Sequence, residues 1–124
     1  MTLLLDTPVL LWWLFDDDRL TPAMRAAIAD PRTSVAVSAA SAWEMAIKAA
    51  RGKLTIPEDL AEEIARQGFE GLPVTVEDSL AAGALPRHHD DPFDRMLIAQ
   101  AVRRRFVLVT ADRRFADYDV LTLA

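Results

Sequence analysis

A three-layer α/β fold with a mostly parallel central sheet is what this 124-residue sequence predicts, on three observations. Short continuous apolar runs at Leu3-Leu4-Leu5, at 33–38 (TSVAVS) and at Phe106-Val107-Leu108-Val109 read as strands buried on both faces. Between them lie longer segments bounded by helix caps and stops, so strand and helix alternate along the chain in the manner of βαβ units. The length suits one domain, 1–124, with a core of its own and no room for a second.

Taken in order, Leu3-Leu4-Leu5 is the first strand and Asp6 stands at its carboxyl end. Thr7 is expected to cap a helix that runs to about Phe15, with Pro8 in the first helical position, where its missing N–H costs nothing. Asp16-Asp17-Asp18 reads as a solvated turn rather than a metal site, because consecutive side chains in a turn diverge. Thr21-Pro22 repeats the cap-and-proline signal and opens a second helix that Pro31 stops. The strand at 33–38 leads into a helix from Ser38 to Arg51, closed by Gly52 at C′.

Pro57–Gln67 is an amphipathic helix ended by Gly68, Leu72-Pro73-Val74 is a short strand, and Thr75 caps a further helix. A loop from Leu85 to Pro92 carries His88, His89, Asp90 and Asp91. Asp94 opens the apolar run Met96–Val102, and a carboxylate in a first helical turn sits well against the positive end of the helix dipole. The strand at 106–109 then delivers Asp112 to its own carboxyl end, a turn follows with Phe115 and Tyr118, and Val120–Leu123 closes the chain as an edge strand.

Composition narrows the function classes. A hydrophobic fraction of 52% with 27% charged residues is globular, and the absence of cysteine excludes disulfides and thiolate metal sites and fits a reducing cytoplasm. No basic residue precedes the apolar N-terminus and Asp6 interrupts it, which argues against a secretion signal; no stretch is long enough to span a membrane. A net charge of -5 is not the footprint of a basic nucleic-acid binder. Arg103-Arg104-Arg105 and Arg113-Arg114 nevertheless form local clusters, readable either as phosphate contacts or as solvated surface.

In open α/β sheets, ligands bind at the carboxyl ends of the strands. Asp6, Asp94 and Asp112 are all expected there, with Glu44 as a fourth from the early turns of the helix after the second strand. Two plainer readings of Glu44 stand beside that one: a capping box with Ser41, and an i,i+4 pair with Lys48. Clustered carboxylates raise one another's pKa unless a cation compensates, and an all-oxygen set without Cys points to Mg²⁺ or Mn²⁺ rather than Zn²⁺. The adjacent His88 and His89 do not supply the scattered histidines of a His-Asp phosphohydrolase and read as loop residues near the crevice.

The segments LLLDT, VSAASAWEMAIKAARGKL, LPRHHDDPFDRMLIAQA and VLVTAD, with a following Phe and Tyr, run in one order from Leu3 to Tyr118. Together they resemble the PIN domain, and more closely the VapC-type toxins of bacterial toxin–antitoxin pairs; DPFDRMLIAQA is the most specific part. The resemblance implies a PIN-like endoribonuclease whose metal site takes Asp6, Glu44 from SAWE, Asp94 from DPFDR in preference to Asp91, and Asp112 from TAD. It also implies an RNA substrate, a cognate antitoxin and a homodimer, and it puts Thr7 and Thr110 beside the metal site. Pro8 departs from the family pattern, where a polar residue often follows LLLDT.

Two rival readings are a non-catalytic PIN-like binding module and a Mg²⁺-dependent phosphoacceptor domain. The second would want an acidic pair at the first strand and a Lys at a later strand end; the chain offers a single Asp6 there, with only Lys48 and Lys53.

Overall fold

The computed structural model describes residues 1–124. Five strands, β1 (Thr2–Leu5), β2 (Ser34–Ser38), β3 (Glu70–Leu72), β4 (Val107–Val109) and β5 (Thr122–Leu123), form one sheet in the order β3-β2-β1-β4-β5. All four pairings are parallel, so every neighbouring pair is joined by a crossover rather than a hairpin. Leu3, Leu4 and Leu5 of β1 lie opposite Val107, Leu108 and Val109 of β4, which makes the N-terminal strand the centre of the sheet.

Strand alternation divides the core in two. Leu3, Leu5, Val35, Val37 and Val109 face one side and pack with Val9, Leu10, Met24, Met45, Ile64 and Phe69, from α1 (Thr7–Leu14), α2 (Pro22–Ala29), α3 (Ala39–Ala50), α4 (Leu60–Arg66) and the turn after α4. Leu4, Ala36 and Leu108 face the other side and pack with Leu97, Ile98 and Ala101 of α6 (Pro92–Arg104) and with Phe115 and Tyr118. The remaining helix, α5 (Val76–Ala84), is tied to α6 through Asp78. The result is the expected three layers with a parallel sheet between them.

Several boundaries differ from those expected, each for a local reason. Asp6, not Thr7, caps α1: its Oδ1 accepts the Val9 N–H at 2.9 Å, which puts Thr7 in the first helical position and Pro8 in the second. Helix α3 starts at Ser38 as expected, Ser38 Oγ accepting the Ala40 N–H at 3.0 Å, and the alternative capping box at Ser41 and Glu44 therefore does not form. Helix α4 begins at Leu60 under an Asp59 cap rather than at Pro57. Strand β3 ends at Leu72 because Pro73 has no N–H to continue a ladder, and pairing at the other edge is confined to Thr122 and Leu123. Gly52 does close α3 at C′, with φ of 70°, a conformation that costs glycine little.

Candidate active site

The carboxyl ends of β1, β2 and β4 and the N-terminus of α6 meet on one side of the sheet. The Asp6 N–H donates to the Val109 carbonyl at 3.1 Å, locking the end of β1 to the end of β4 and leaving the Asp6 carboxyl buried in the crevice between them. Glu44, one face round α3, reaches the same place. Its Oε1 accepts the Thr7 hydroxyl at 2.7 Å and its Oε2 pairs with Lys48 at 2.7 Å. The i,i+4 pair expected from the sequence is therefore real, and it coexists with placement at the crevice.

Within DPFD the two aspartates divide their work. Asp91 caps α6, its Oδ1 accepting the Phe93 and Asp94 N–H groups at 2.8 and 3.3 Å. Asp94, one turn in, is free to point at the crevice. Asp112 caps the short 3₁₀ turn Arg113–Asp117, accepting the Arg114 N–H at 2.9 Å and the Arg114 guanidinium at 2.8 Å, while its own N–H donates to Thr110 Oγ1 at 3.0 Å.

These side chains sense one another. Burial pushes the Asp94 carboxyl up to about 7, and the charges of Asp91, Glu44, Asp6 and Asp112 push it in the same direction. Asp6 is raised to about 6, chiefly by burial; the Thr110 hydroxyl and Val9 N–H oppose the rise, and Asp112 and Glu44 add to it. Asp112 is held at about 2, mainly by its hydrogen bonds from Arg114. Two of the four carboxyls are thus short of positive charge. Asp6 has no cationic partner, and Asp94 faces only a histidine.

That histidine is His89, read from the sequence as a loop residue near the crevice, within reach of substrate. It is 3% exposed, and its Nε2 lies 3.0 Å from Asp94 Oδ2 and 3.4 Å from Asp112 Oδ2. His89, Asp94 and Asp112 each bring a ligand-type atom within 4.8 Å of the others, a cluster able to coordinate a divalent metal. The imidazole also has a second role, fixed by its other nitrogen. Nδ1 accepts the Asp91 N–H at 3.1 Å, so the proton of the neutral ring belongs on Nε2, where it faces the carboxylates. Neither oxygen lies well enough along that N–H to make a sound hydrogen bond, and Nε2 stays unsatisfied despite the short distances. Ligation through Nε2 would require the ring to shift its proton and surrender the Asp91 amide.

The loop around His89 is held rigidly. Arg95 donates to the carbonyls of Ala82, Leu85 and Pro86 at 2.9, 3.0 and 2.9 Å. The Tyr118 hydroxyl accepts the His88 and His89 N–H groups at 3.1 and 2.9 Å and donates to Pro86 O at 2.7 Å. The arginine of DPFDR and the tyrosine after TAD are therefore supports for the loop that carries His89 and Asp91. Of the basic clusters, Arg103 and Arg104 are committed to the buried Asp78 and Arg114 to Asp112, while Arg105 and Arg113 remain exposed.

Comparison with known proteins agrees with this arrangement. The chain is 35% identical to Ribonuclease VapC22 of Mycobacterium tuberculosis over 125 residues, covering 94% of this chain and 92% of that protein. Its fold matches a toxin–antitoxin complex from Klebsiella pneumoniae with a TM-score of 0.68 at 22% identity, over 98% of this chain and 95% of the other. It also matches VapBC2 from Rickettsia felis bound to a promoter DNA fragment, with a TM-score of 0.69 at 11% identity, over 99% and 98% of the two chains. No helix of the protein is long and apolar enough to cross a membrane. The family pattern of the PIN domain matches residues 3–121, almost the whole length over which strand ends and carboxylates have been traced, and the chain belongs to the PIN domain family as a homologue of the VapC-type ribonucleases.

Proposed function

We propose that this chain is a metal-dependent endoribonuclease, the toxin of a toxin–antitoxin pair, and that Asp6, Glu44, Asp94 and Asp112 hold its metal. The observation that carries the reading is electrostatic. Four carboxylates converge at the strand ends, and burial, with the charges of the neighbouring carboxylates adding to it, has lifted Asp6 and Asp94 to about 6 and 7. The homology to a named ribonuclease supports the reaction class.

The donor set fits a hard divalent ion, Mg²⁺ or Mn²⁺, since four carboxylates offer oxygen and His89 in its present tautomer offers an N–H. A divalent ion held here supplies positive charge against phosphate oxygens and acidity to a water. The chain's own groups prepare the place. The Val9 N–H fixes Asp6 Oδ1, the Thr7 hydroxyl fixes Glu44 Oε1, and Arg114 fixes Asp112. Nε2–H of His89 stands between Asp94 and Asp112 and faces an oxygen of each.

An acidic crevice also suits an inhibitor. A partner antitoxin that inserts an Arg or Lys among these carboxylates satisfies Asp6 and Asp94 and competes with metal for them. A homodimer acting in the cytoplasm completes the reading. The test is cleavage of a mixed RNA substrate with added Mg²⁺ or Mn²⁺, with Zn²⁺ as a poor substitute and none of the activity surviving a chelator. Full cleavage in excess chelator would sink it.

A further inference from the structure

Beside the carboxylate crevice runs a groove of about 730 Å³, bounded by α1, α3 and the segment after α3. Thr7 and Glu44 line it, so it opens directly from the crevice. Its lining also includes Lys48, which is bonded to Glu44, together with Lys53, Arg19 and the rings of Trp12 and Phe15. The chain contains two lysines, and both line this groove, although the net charge is -5. Lys53 is exposed and makes no ion pair. Arg19 lies over the Trp12 ring at 5.4 Å and neutralises Asp17, the one other acidic residue of the lining besides Glu44. Phe15 is 52% exposed, so its ring is accessible from the groove.

An unpaired cation, Lys53, beside an open aromatic ring, Phe15, suits a single strand of nucleic acid, the charge meeting a phosphate and the ring stacking on a base. The volume falls within the roughly 300–1,000 Å³ that holds a compact ligand, enough for a nucleotide or two. We infer that this groove seats the single-stranded RNA segment next to the scissile phosphate, with Lys53 and Lys48 on its backbone and Phe15 stacked on a base. The inference rests on the nuclease reading and adds to it the side from which the strand enters. Lys48 belongs to both regions, since its ammonium is bonded to Glu44 Oε2.

The test uses the whole chain in chelator, so that binding is read without cleavage. Fluorescence anisotropy is measured with a labelled mixed-sequence single-stranded RNA of roughly 12 nucleotides over a range of salt. Lys53→Glu should weaken binding about tenfold and lower the logarithmic salt slope by about 0.7, the share of one phosphate that the chain no longer neutralises. Phe15→Ala should weaken binding at least about fivefold with the slope unchanged. Arg105→Glu, the same charge change at the far end of β4, should shift affinity by less than about twofold. Circular dichroism checks that each variant is folded. The inference fails if the wild-type chain does not bind, if Lys53→Glu and Phe15→Ala bind as the wild type does, or if Arg105→Glu is as damaging as Lys53→Glu. Unchanged RNA affinity in the two groove variants is also the result expected if the groove seats a peptide arm of a partner protein. Cleavage by the wild type with Mn²⁺ is scored separately. Cleavage with indifferent groove variants removes the groove and keeps the nuclease; binding through the groove without cleavage does the reverse.

Discussion

The Thr7 hydroxyl donates to Glu44 Oε1 at 2.7 Å, across a sequence separation of 37 residues, and both groups are buried. This bond joins the first residue of α1 to the second turn of α3. It leaves Glu44 with one oxygen fixed by a neutral donor and the other by Lys48. Thr7→Val keeps the shape and removes the donor, so Glu44 is no longer aimed. Mn²⁺ affinity by calorimetry should fall about three- to tenfold, the effect of about 1 kcal/mol for one buried hydrogen bond, with Thr7→Ser close to wild type. A Thr7→Val protein that binds Mn²⁺ as the wild type does would show that the bond is only structural.

Asp94→Asn should abolish metal-dependent RNA cleavage while making the metal-free protein more stable at pH 8. Asp91→Asn should behave differently. Its loss is that of a helix cap, about 1 kcal/mol of stability, with cleavage largely retained. Activity assays and thermal melts on the two variants decide the matter, and an inactive Asp91→Asn beside an active Asp94→Asn would reverse the assignment within DPFD.

The pH dependence of stability has two limbs of opposite sign. Asp6 and Asp94 are raised from 3.8 to about 6 and about 7, so in that interval the folded chain holds protons that the unfolded chain has released. Stability contributed by these groups therefore falls as pH rises from about 4 through 7, by about 1–2 kcal/mol for Asp94 once solvent screening is allowed for. Asp112, held at about 2, works the other way: its contribution is present above 3.8 and lost as pH falls through 2. Melts in chelator should show greatest stability near pH 4–5, roughly where the two limbs cross. Added Mn²⁺ should lift the neutral limb most, and a metal-free stability that climbs steadily to pH 8 would contradict the site's electrostatics.

Away from the crevice, Asp78 is fully buried between α5 and α6. Burial alone would raise its carboxyl, but hydrogen bonds from Arg104, Gln100, the Thr75 N–H and Arg103 outweigh it and hold the group well below the usual carboxylate range. Asp78→Ala leaves Gln100 and two guanidiniums without their partner and should cost about 2–4 kcal/mol. Chemical denaturation measures that loss. Cleavage at a temperature where the variant is folded should match wild type, and a specific loss of activity would tie α5 to the reaction.

The fold and the positions of the carboxylates were readable because strand ends in a parallel sheet are marked in sequence by a change of period followed by a polar residue, as at Asp6 and Asp112. What sequence could not supply was which donor each oxygen would meet. Ser41 and Glu44 have the spacing of a capping box, but the helix starts at Ser38, and the partner Glu44 takes instead, the Thr7 hydroxyl, lies 37 residues away. His89 lies in a polar loop that looks solvated. Arg95 and Tyr118 hold that loop down through its backbone N–H and carbonyl groups, and the buried ring packs edge-on against Phe115. Such long-range capture leaves no periodic trace. The Asp91 cap was equally hidden, since two aspartates in one motif are distinguished by helix register and not by spacing.

Strand β1 is paired on both sides, with β2 and with the distant β4. Its position at the middle of the sheet means that Leu3, Leu4 and Leu5 gain their second neighbour only from Val107, Leu108 and Val109, and the Asp6 N–H waits for the Val109 carbonyl. A parallel partner so distant along the chain cannot form early, because the intervening loop must be closed first. While the polypeptide is still emerging from the ribosome, Asp6 and Glu44 exist without Asp94 and Asp112. A product cut short before β4 lacks the crevice altogether. Whatever the four carboxylates do, they do it only for a finished molecule, and translation that aborts midway releases nothing capable of it.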